Sequence, residues 1–157
     1  MRGPAPWDAD EARRLIDERR ALQGATLPIL HALQDHFGYV DSEAVPLIAA
    51  GLNLSKAEVH GVVTFYHDYR GAPAAGPVLK LCRAEACQSM GCEGLVEHLA
   101  ARHHIAVDGY KSGDGLAVET VYCLGNCALS PAALLDGAPM GRLDRAGLDA
   151  LVAGARA

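Results

Sequence analysis

The sequence of 157 residues has no run of basic residues, and its 14 Lys and Arg are outnumbered by 19 Asp and Glu, which gives a formal net charge of −5. Proteins that bind nucleic acid usually cluster Lys and Arg, so we expect no nucleic-acid partner. No apolar run approaches the roughly 18 residues that suggest a membrane span, and we expect no direct membrane insertion. The residues from Met1 to Trp7 place no apolar segment behind Arg2, unlike a secretory signal. The expected location is therefore the cytoplasm.

Aromatic residues are also scarce, at 5%, but half of the residues are hydrophobic, so the chain can bury a core. Its length fits one ordinary domain, or one domain with an appended helical piece. The five cysteines are expected in a reducing medium, where cysteines act as metal or redox ligands more often than they form disulfides.

The residues before position 71 have the pattern of a helical bundle. The four expected helices begin at Asp8, Thr26, Ser42 and Ser55. The first of them is charged on most sides and is expected to run to about Leu22, whereas Gly38 is a natural end for the second. Ser55 and Glu58 have the spacing of a capping box, in which each side chain satisfies a backbone N–H at the start of a helix. Residues 1–70 are therefore expected to form one helical domain.

Residues 71–77 contain two glycines and two prolines and predict a linker. After it, short apolar strands alternate with helices, which predicts an α/β domain at residues 78–157. The expected elements are a strand at Val78–Leu81, a helix from Gly91 to about His103, a loop from Gly109 to Gly115, a strand at Leu116–Tyr122, a hairpin from Ala133 to Leu143 and a last helix capped by Asp144. Each of the two longer strands leads directly into a cysteine.

Four of the cysteines form two close pairs, Cys82-x4-Cys87 and Cys123-x3-Cys127. Four thiolates suit a [2Fe–2S] cluster or a structural zinc ion, and the spacing leaves both open beside a third possibility, no metal. The plant-type ferredoxin spacing and the Cys-x-x-Cys of dithiol chemistry are both absent. Gly125 lets the backbone approach the sulfurs closely and frees N–H groups to point at them, which favours the cluster.

The two cysteine motifs, with Cys123-Leu124-Gly125-Asn126-Cys127 followed by Pro131, resemble those of the thioredoxin-like [2Fe–2S] ferredoxins, the family of the small iron–sulfur subunit of respiratory complex I. The segments 37–39 and 57–66 resemble the helical bundle of that family. The resemblance implies an α/β protein in which an N-terminal helical bundle precedes a thioredoxin-like [2Fe–2S] domain. It implies that one cluster is held by Cys82, Cys87, Cys123 and Cys127.

The same resemblance implies the setting in which the cluster works. The chain would carry electrons beside a flavin (FMN) and NADH-binding subunit and a larger catalytic subunit, and would catalyse nothing alone. The residues around Cys82 and Cys123 resemble most the gamma subunit of an NAD-dependent formate dehydrogenase. Arg83, Glu85 and Tyr122 depart from the complex I pattern. An equivalent subunit of complex I or of an NAD-linked hydrogenase is the alternative, and a zinc-stabilised interaction module is a further one.

The remaining chemically notable residues receive plainer interpretations. Cys92 is expected to be a small buried hydrophobe, and not a ligand. His103 and His104 end a helix, where positive charge is favourable, and no partner for a metal is evident. The aromatic stretch from Phe65 to Tyr69 fits a core or a partner surface equally well.

Overall fold

The computed structural model describes residues 5–74, 76–108 and 116–155. The chain forms two compact units, Met1–Ala74 and Ala75–Ala157. The predicted loop from Gly109 to Gly115 lies outside the described residues, so its conformation stays a prediction. No helix in the described part is long and apolar enough to cross a membrane.

The described residues of the first unit form four α-helices. They are α1 (Ala9–Asp17), α2 (Thr26–Phe37), α3 (Ala44–Leu52) and α4 (Lys56–Phe65). Their apolar positions meet in one core, whose larger buried members are Leu15, Ile16, Ile29, Leu30, Leu33, Phe37, Ile48 and Val59. Apolar faces that recur every three or four residues thus produce the bundle that the pattern predicts.

Side chains cap the starts of α1 and α4, whereas α2 and α3 begin without a side-chain cap. The Asp8 carboxylate accepts the N–H groups of Asp10 and Glu11 at 2.9 and 2.8 Å. Ser55 and Glu58 form the predicted capping box at the start of α4. Thr26, predicted as a cap, is instead the first helical residue of α2, and the residue before it makes no side-chain cap bond.

The second unit is built on a sheet of four strands in the order β2-β1-β3-β4. The strands are β1 (Val78–Cys82), β2 (Ala117–Val121), β3 (Ala133–Leu135) and β4 (Ala138–Met140). β2 runs parallel to β1, whereas β3 is antiparallel to both β1 and β4. Asp136 and Gly137 join β3 to β4 with φ of 48° and 83°, the conformation that a two-residue type I′ hairpin turn requires.

In its described part the second unit also has three α-helices: α5 (Glu85–Ser89), α6 (Cys92–His98) and α7 (Arg145–Ala155). A π-helical turn, Leu99–His103, continues α6. The core between helices and sheet includes Leu79, Leu81, Leu95, Leu99, Leu116, Val118, Leu148 and Val152. The predicted single helix from Gly91 to His103 is therefore an α-helix with a π-helical end, and α5 was not predicted.

Candidate metal centre

The first cysteine pair is held by the central strand and a short helix. Cys82 is the last residue of β1, which is paired on both sides, by β2 and by β3. Cys87 lies in α5 just beyond. Each has only 2% of its surface exposed. Strand pairing therefore fixes the position of Cys82, and both cysteines of this pair are shielded from solvent.

The second pair lies in the loop after β2. Cys123 adopts a left-handed conformation with φ of 70°, and Gly125 does the same with φ of 75°. The chain then turns so that Cys127 begins a short 3₁₀ turn, Cys127–Leu129. The Sγ atoms of Cys123 and Cys127 are 3.8 Å apart, and both residues are exposed. For a residue other than glycine a left-handed conformation is unfavourable, so the fold around Cys123 must impose it.

Strand pairing brings the two loops to the same edge of the sheet. In the parallel register of β1 and β2, Cys82 is opposite Val121. The N–H of Arg83 donates to the Val121 carbonyl at 2.9 Å, which continues the pairing one residue further. Because parallel strands end at the same edge, the cysteine that ends β1 lies beside the loop that follows β2.

Hydrogen bonds to Cys82 link the two pairs directly. Burial alone raises the pKa of the Cys82 thiol, but the N–H groups of Ala84, Cys123 and Leu124 and the thiol of Cys87 donate to its sulfur, and the pKa lies below the ordinary value. The deprotonated form, which is the one that binds metals, is thereby stabilised. Two of these N–H donors come from the loop of the second pair.

The thiol of Cys127 has the opposite shift. A hydrogen bond with Cys123, together with the negative charge of Cys123, raises the pKa of Cys127. Smaller contributions come from burial and from the charges of Cys87 and Cys82. Without a cation between them, the four sulfurs repel one another as thiolates. A positively charged centre would remove this repulsion, so the donor set fits a metal group.

Two further residues support the second loop, and the sequence analysis did not single them out. The hydroxyl of Ser130 donates to the Cys127 carbonyl at 2.8 Å and lies 3.5 Å from the Cys87 sulfur. Gly141 comes directly after β4 and lies against Leu129. A Cβ at position 141 would be 2.5 Å from the Cβ of Leu129. Glycine at 141 is required for space, which no local sequence pattern indicates.

Arg83 and Cys92 both lie near the first pair, but neither side chain is in the ordinary free form: one is ion-paired and the other is buried. The Arg83 guanidinium donates twice to the Glu93 carboxylate, at 2.9 and 2.8 Å, and this pairing lowers the pKa of Glu93. Cys92 is fully buried in the same small cluster as Cys82 and Cys87, and burial raises the pKa of its thiol. Arg83 is thus ion-paired, and Cys92 favours the neutral thiol form.

Comparison with known families identifies the fold. Residues 12–156 match the sequence profile of the thioredoxin-like [2Fe–2S] ferredoxins, which is nearly the whole chain. The chain belongs to this family. Its α/β architecture is the one predicted, and proteins of this family carry a [2Fe–2S] cluster, so the cofactor prediction is confirmed and a zinc module is set aside.

Relatives of this ferredoxin include subunits of two kinds of enzyme. NADH-quinone oxidoreductase subunit 2 of Thermus thermophilus is 33% identical over 137 residues, which cover 86% of this chain and 75% of the relative. NADP-reducing hydrogenase subunit HndA of Solidesulfovibrio fructosivorans is 29% identical over 123 residues, which cover 77% of this chain and 71% of the relative.

A solved structure is similar as well. A chain in the air-oxidized crystal structure of an NAD⁺-reducing [NiFe]-hydrogenase superposes with a TM-score of 0.71 at 28% identity. The match covers 88% of the ferredoxin but only 24% of the hydrogenase chain. The ferredoxin thus spans about a quarter of that longer chain.

Proposed function

We propose that Cys82, Cys87, Cys123 and Cys127 hold the [2Fe–2S] cluster of this ferredoxin. The observation that carries the assignment is the set of N–H groups of Cys123 and Leu124 that donate to the Cys82 sulfur, because it joins the two pairs into one site. A cluster held by these residues would supply one-electron transfer. The N–H groups stabilise the negative charge on its ligands, and the burial of Cys82 and Cys87 keeps water from that side.

The chain is, in this proposal, the electron-transfer subunit of an NAD-linked oxidoreductase complex. The support comes from relatives named as subunits of NADH-quinone oxidoreductase and of an NADP-reducing hydrogenase. A flavin can divide the two electrons of a hydride into single steps, so a one-electron centre is useful beside a flavin (FMN) subunit that binds NADH. A larger catalytic subunit would complete the complex.

The finer proposal is that this complex is an NAD-dependent formate dehydrogenase. It rests on the resemblance of the cysteine motifs, with Arg83 and Glu85 between the first pair and Tyr122 before Cys123. The relatives described above are subunits of quinone-linked and hydrogen-linked enzymes, so complex I or an NAD-linked hydrogenase is the second candidate.

The first experiment tests the cluster in the purified chain. We expect a reddish-brown protein with equal amounts of iron and acid-labile sulfide. An electron paramagnetic resonance signal should appear only after reduction. A colourless protein with one zinc ion per chain would overturn the cluster assignment, whatever the partner complex.

The second experiment tests the complex. The native assembly is purified, and formate, hydrogen and NADH are added separately under anaerobic conditions while the visible absorbance of the cluster is followed. Bleaching by formate and by NADH, but not by hydrogen, is expected. Bleaching by hydrogen without formate would favour the hydrogenase, and bleaching by NADH alone would favour the complex I type.

A further inference from the structure

A second group of metal-ligating side chains lies in the same unit, away from the cysteine motifs in sequence. His98 ends α6, His103 ends the π-helical turn and Asp149 lies in α7. The Nε2 atoms of His98 and His103 are 2.7 and 2.5 Å from the same Oδ1 atom of Asp149. The side chains are 16%, 12% and 36% exposed. Two imidazoles and a carboxylate thus converge in a partly buried position.

The π-helical turn is the reason that the two histidines converge. In an α-helix, residues five apart are separated by about 140° around the axis and face different directions. Between Leu99 and His103 the turn is wider, and the N–H of His104 donates to the Leu99 carbonyl five residues earlier. The wider turn places His98 and His103 on the same side, with ring centroids 5.7 Å apart. Single π-helical turns are frequent at functional sites.

We propose that His98, His103 and Asp149 bind a divalent transition-metal ion, with zinc as the best match. The three ligand atoms lie within 4.8 Å of one another. Imidazole nitrogen favours zinc and its neighbours in the transition series over magnesium and calcium. Three protein ligands leave one tetrahedral position for water or for a fourth donor. The ion would cross-link the end of α6 and the π-helical turn to α7.

The surroundings set limits on the affinity of this site. Each Nε2 contacts the Asp149 carboxylate oxygen directly, and a carboxylate accepts hydrogen bonds, so an N–H at either Nε2 would have to give up its proton to a metal ion. Tetrahedral zinc bonds of about 2.0–2.2 Å place ligand atoms roughly 3.3–3.6 Å apart, so each nitrogen would have to move about 0.6–1 Å further from the carboxylate oxygen. The Arg102 guanidinium, 3.7 Å from the other Asp149 oxygen, opposes a second positive charge. The site is therefore expected to bind zinc reversibly.

The test uses the full chain with its iron–sulfur cluster in place, so that the cysteines are occupied. Zn²⁺ is titrated by isothermal calorimetry, and bound zinc and iron are then measured after gel filtration. One zinc ion per chain is expected, in addition to the iron and with the visible spectrum of the cluster unchanged. His103→Gln and Asp149→Asn should each weaken zinc binding by at least roughly tenfold. Arg102→Gln should strengthen it.

His104→Asn is the matched control, because His104 is exposed, adjoins His103 and has a φ of 57° that asparagine tolerates. It should bind zinc as the original chain does. Zinc should also raise the melting temperature of the original chain and of this control, but not of Asp149→Asn. Absence of zinc uptake at micromolar concentrations, equal uptake by all variants, or uptake only with loss of iron would each overturn the proposal.

Discussion

Cys82 and Cys92 share one buried cluster, yet their sulfurs have different surroundings. N–H groups lower the pKa of Cys82, whereas burial raises that of Cys92. We expect Cys82→Ser to lose most of the iron and the visible absorbance, because serine replaces a soft ligand with a harder one. The same result is expected for serine at 87, 123 or 127. Iron analysis and the visible spectrum are the measurements.

Cys92→Ser serves as the matched control for the ligand set. It should keep the iron content and the spectrum, although a buried hydroxyl without a good partner is expected to lower the free energy of unfolding by about 1–3 kcal/mol. Loss of iron in Cys92→Ser, with serine tolerated at one of the other four positions, would show that the ligand set is different.

At the scale of elements, the end of β4 supports the second cysteine loop. The N–H of Arg142 donates to the Leu129 carbonyl at 2.6 Å, and Gly141 lies against Leu129. Gly141→Ala should displace the turn that begins at Cys127 and destabilise the protein by about 1–3 kcal/mol, as overpacking does. Faster loss of the visible absorbance during incubation with an iron chelator is the measurement.

Gly94→Ala is the comparison for this variant. Gly94 lies in α6, and a Cβ there would approach only the end of the Arg145 side chain, at 3.9 Å. Alanine at 94 should leave iron release unchanged and slightly stabilise the helix. If Gly141→Ala releases iron no faster than Gly94→Ala, β4 does not position the cysteine loop.

The elements that the sequence predicted are those with strong local signals. The apolar run at Val78 predicts β1, and the Asp144 side chain caps α7 by accepting the N–H of Gly147 at 2.7 Å. α5 has only five residues, which is too short for a helical period to be recognised. No residue pattern in the sequence predicts the π-helical turn after α6.

In the site, too, the features set by neighbouring residues could be predicted, whereas contacts between residues far apart in the sequence could not. The two cysteine pairs were recognisable because their spacing is local. The N–H groups that Cys123 and Leu124 donate to Cys82 come from about 40 residues further along the chain. Such contacts depend on strand register, which the separate motifs do not specify. The partners of His103, which are His98 and Asp149, were not foreseen either, because they depend on the π-helical turn and on the contact with α7.

At the scale of the whole molecule, we propose that the helical unit docks on the flavin subunit. The aromatic stretch divides in the structure: Tyr69 is 8% exposed and belongs to the core, whereas Phe65 and Tyr66 are 73% and 43% exposed. Cleavage in the predicted linker 71–77 should leave residues 78–157 able to hold iron but unable to join the complex. Co-purification with the flavin subunit, measured together with iron content, tests this.

Phe65→Ser in the intact chain provides a milder version of that experiment. It should weaken assembly and lower the NAD-linked activity of the complex, because exposed aromatic residues often dominate interface energies. Leu22→Ser, at a residue that is 53% exposed in the same unit, is the control and should assemble normally. A fragment 78–157 that joins the complex with near-native affinity would assign the docking surface to the cluster unit.

Because the two cysteine pairs differ in exposure, the protein is expected to be sensitive to oxidation at one of them before the cofactor is bound. Oxidants attack thiols according to their thiolate character and their access to solvent. Cys123 and Cys127 are open to solvent, whereas Cys82 and Cys87 are covered. The pKa of Cys82 is lowered and that of Cys127 is raised, so thiolate character alone would favour attack at Cys82. Peroxide must first reach the sulfur, however, so it is expected to oxidise the exposed pair before the buried pair. In air, a chain without its cluster is therefore expected to lose the ability to bind a cluster through oxidation of Cys123 and Cys127. A cellular reductant would need access only to the loop that carries these two residues in order to restore it.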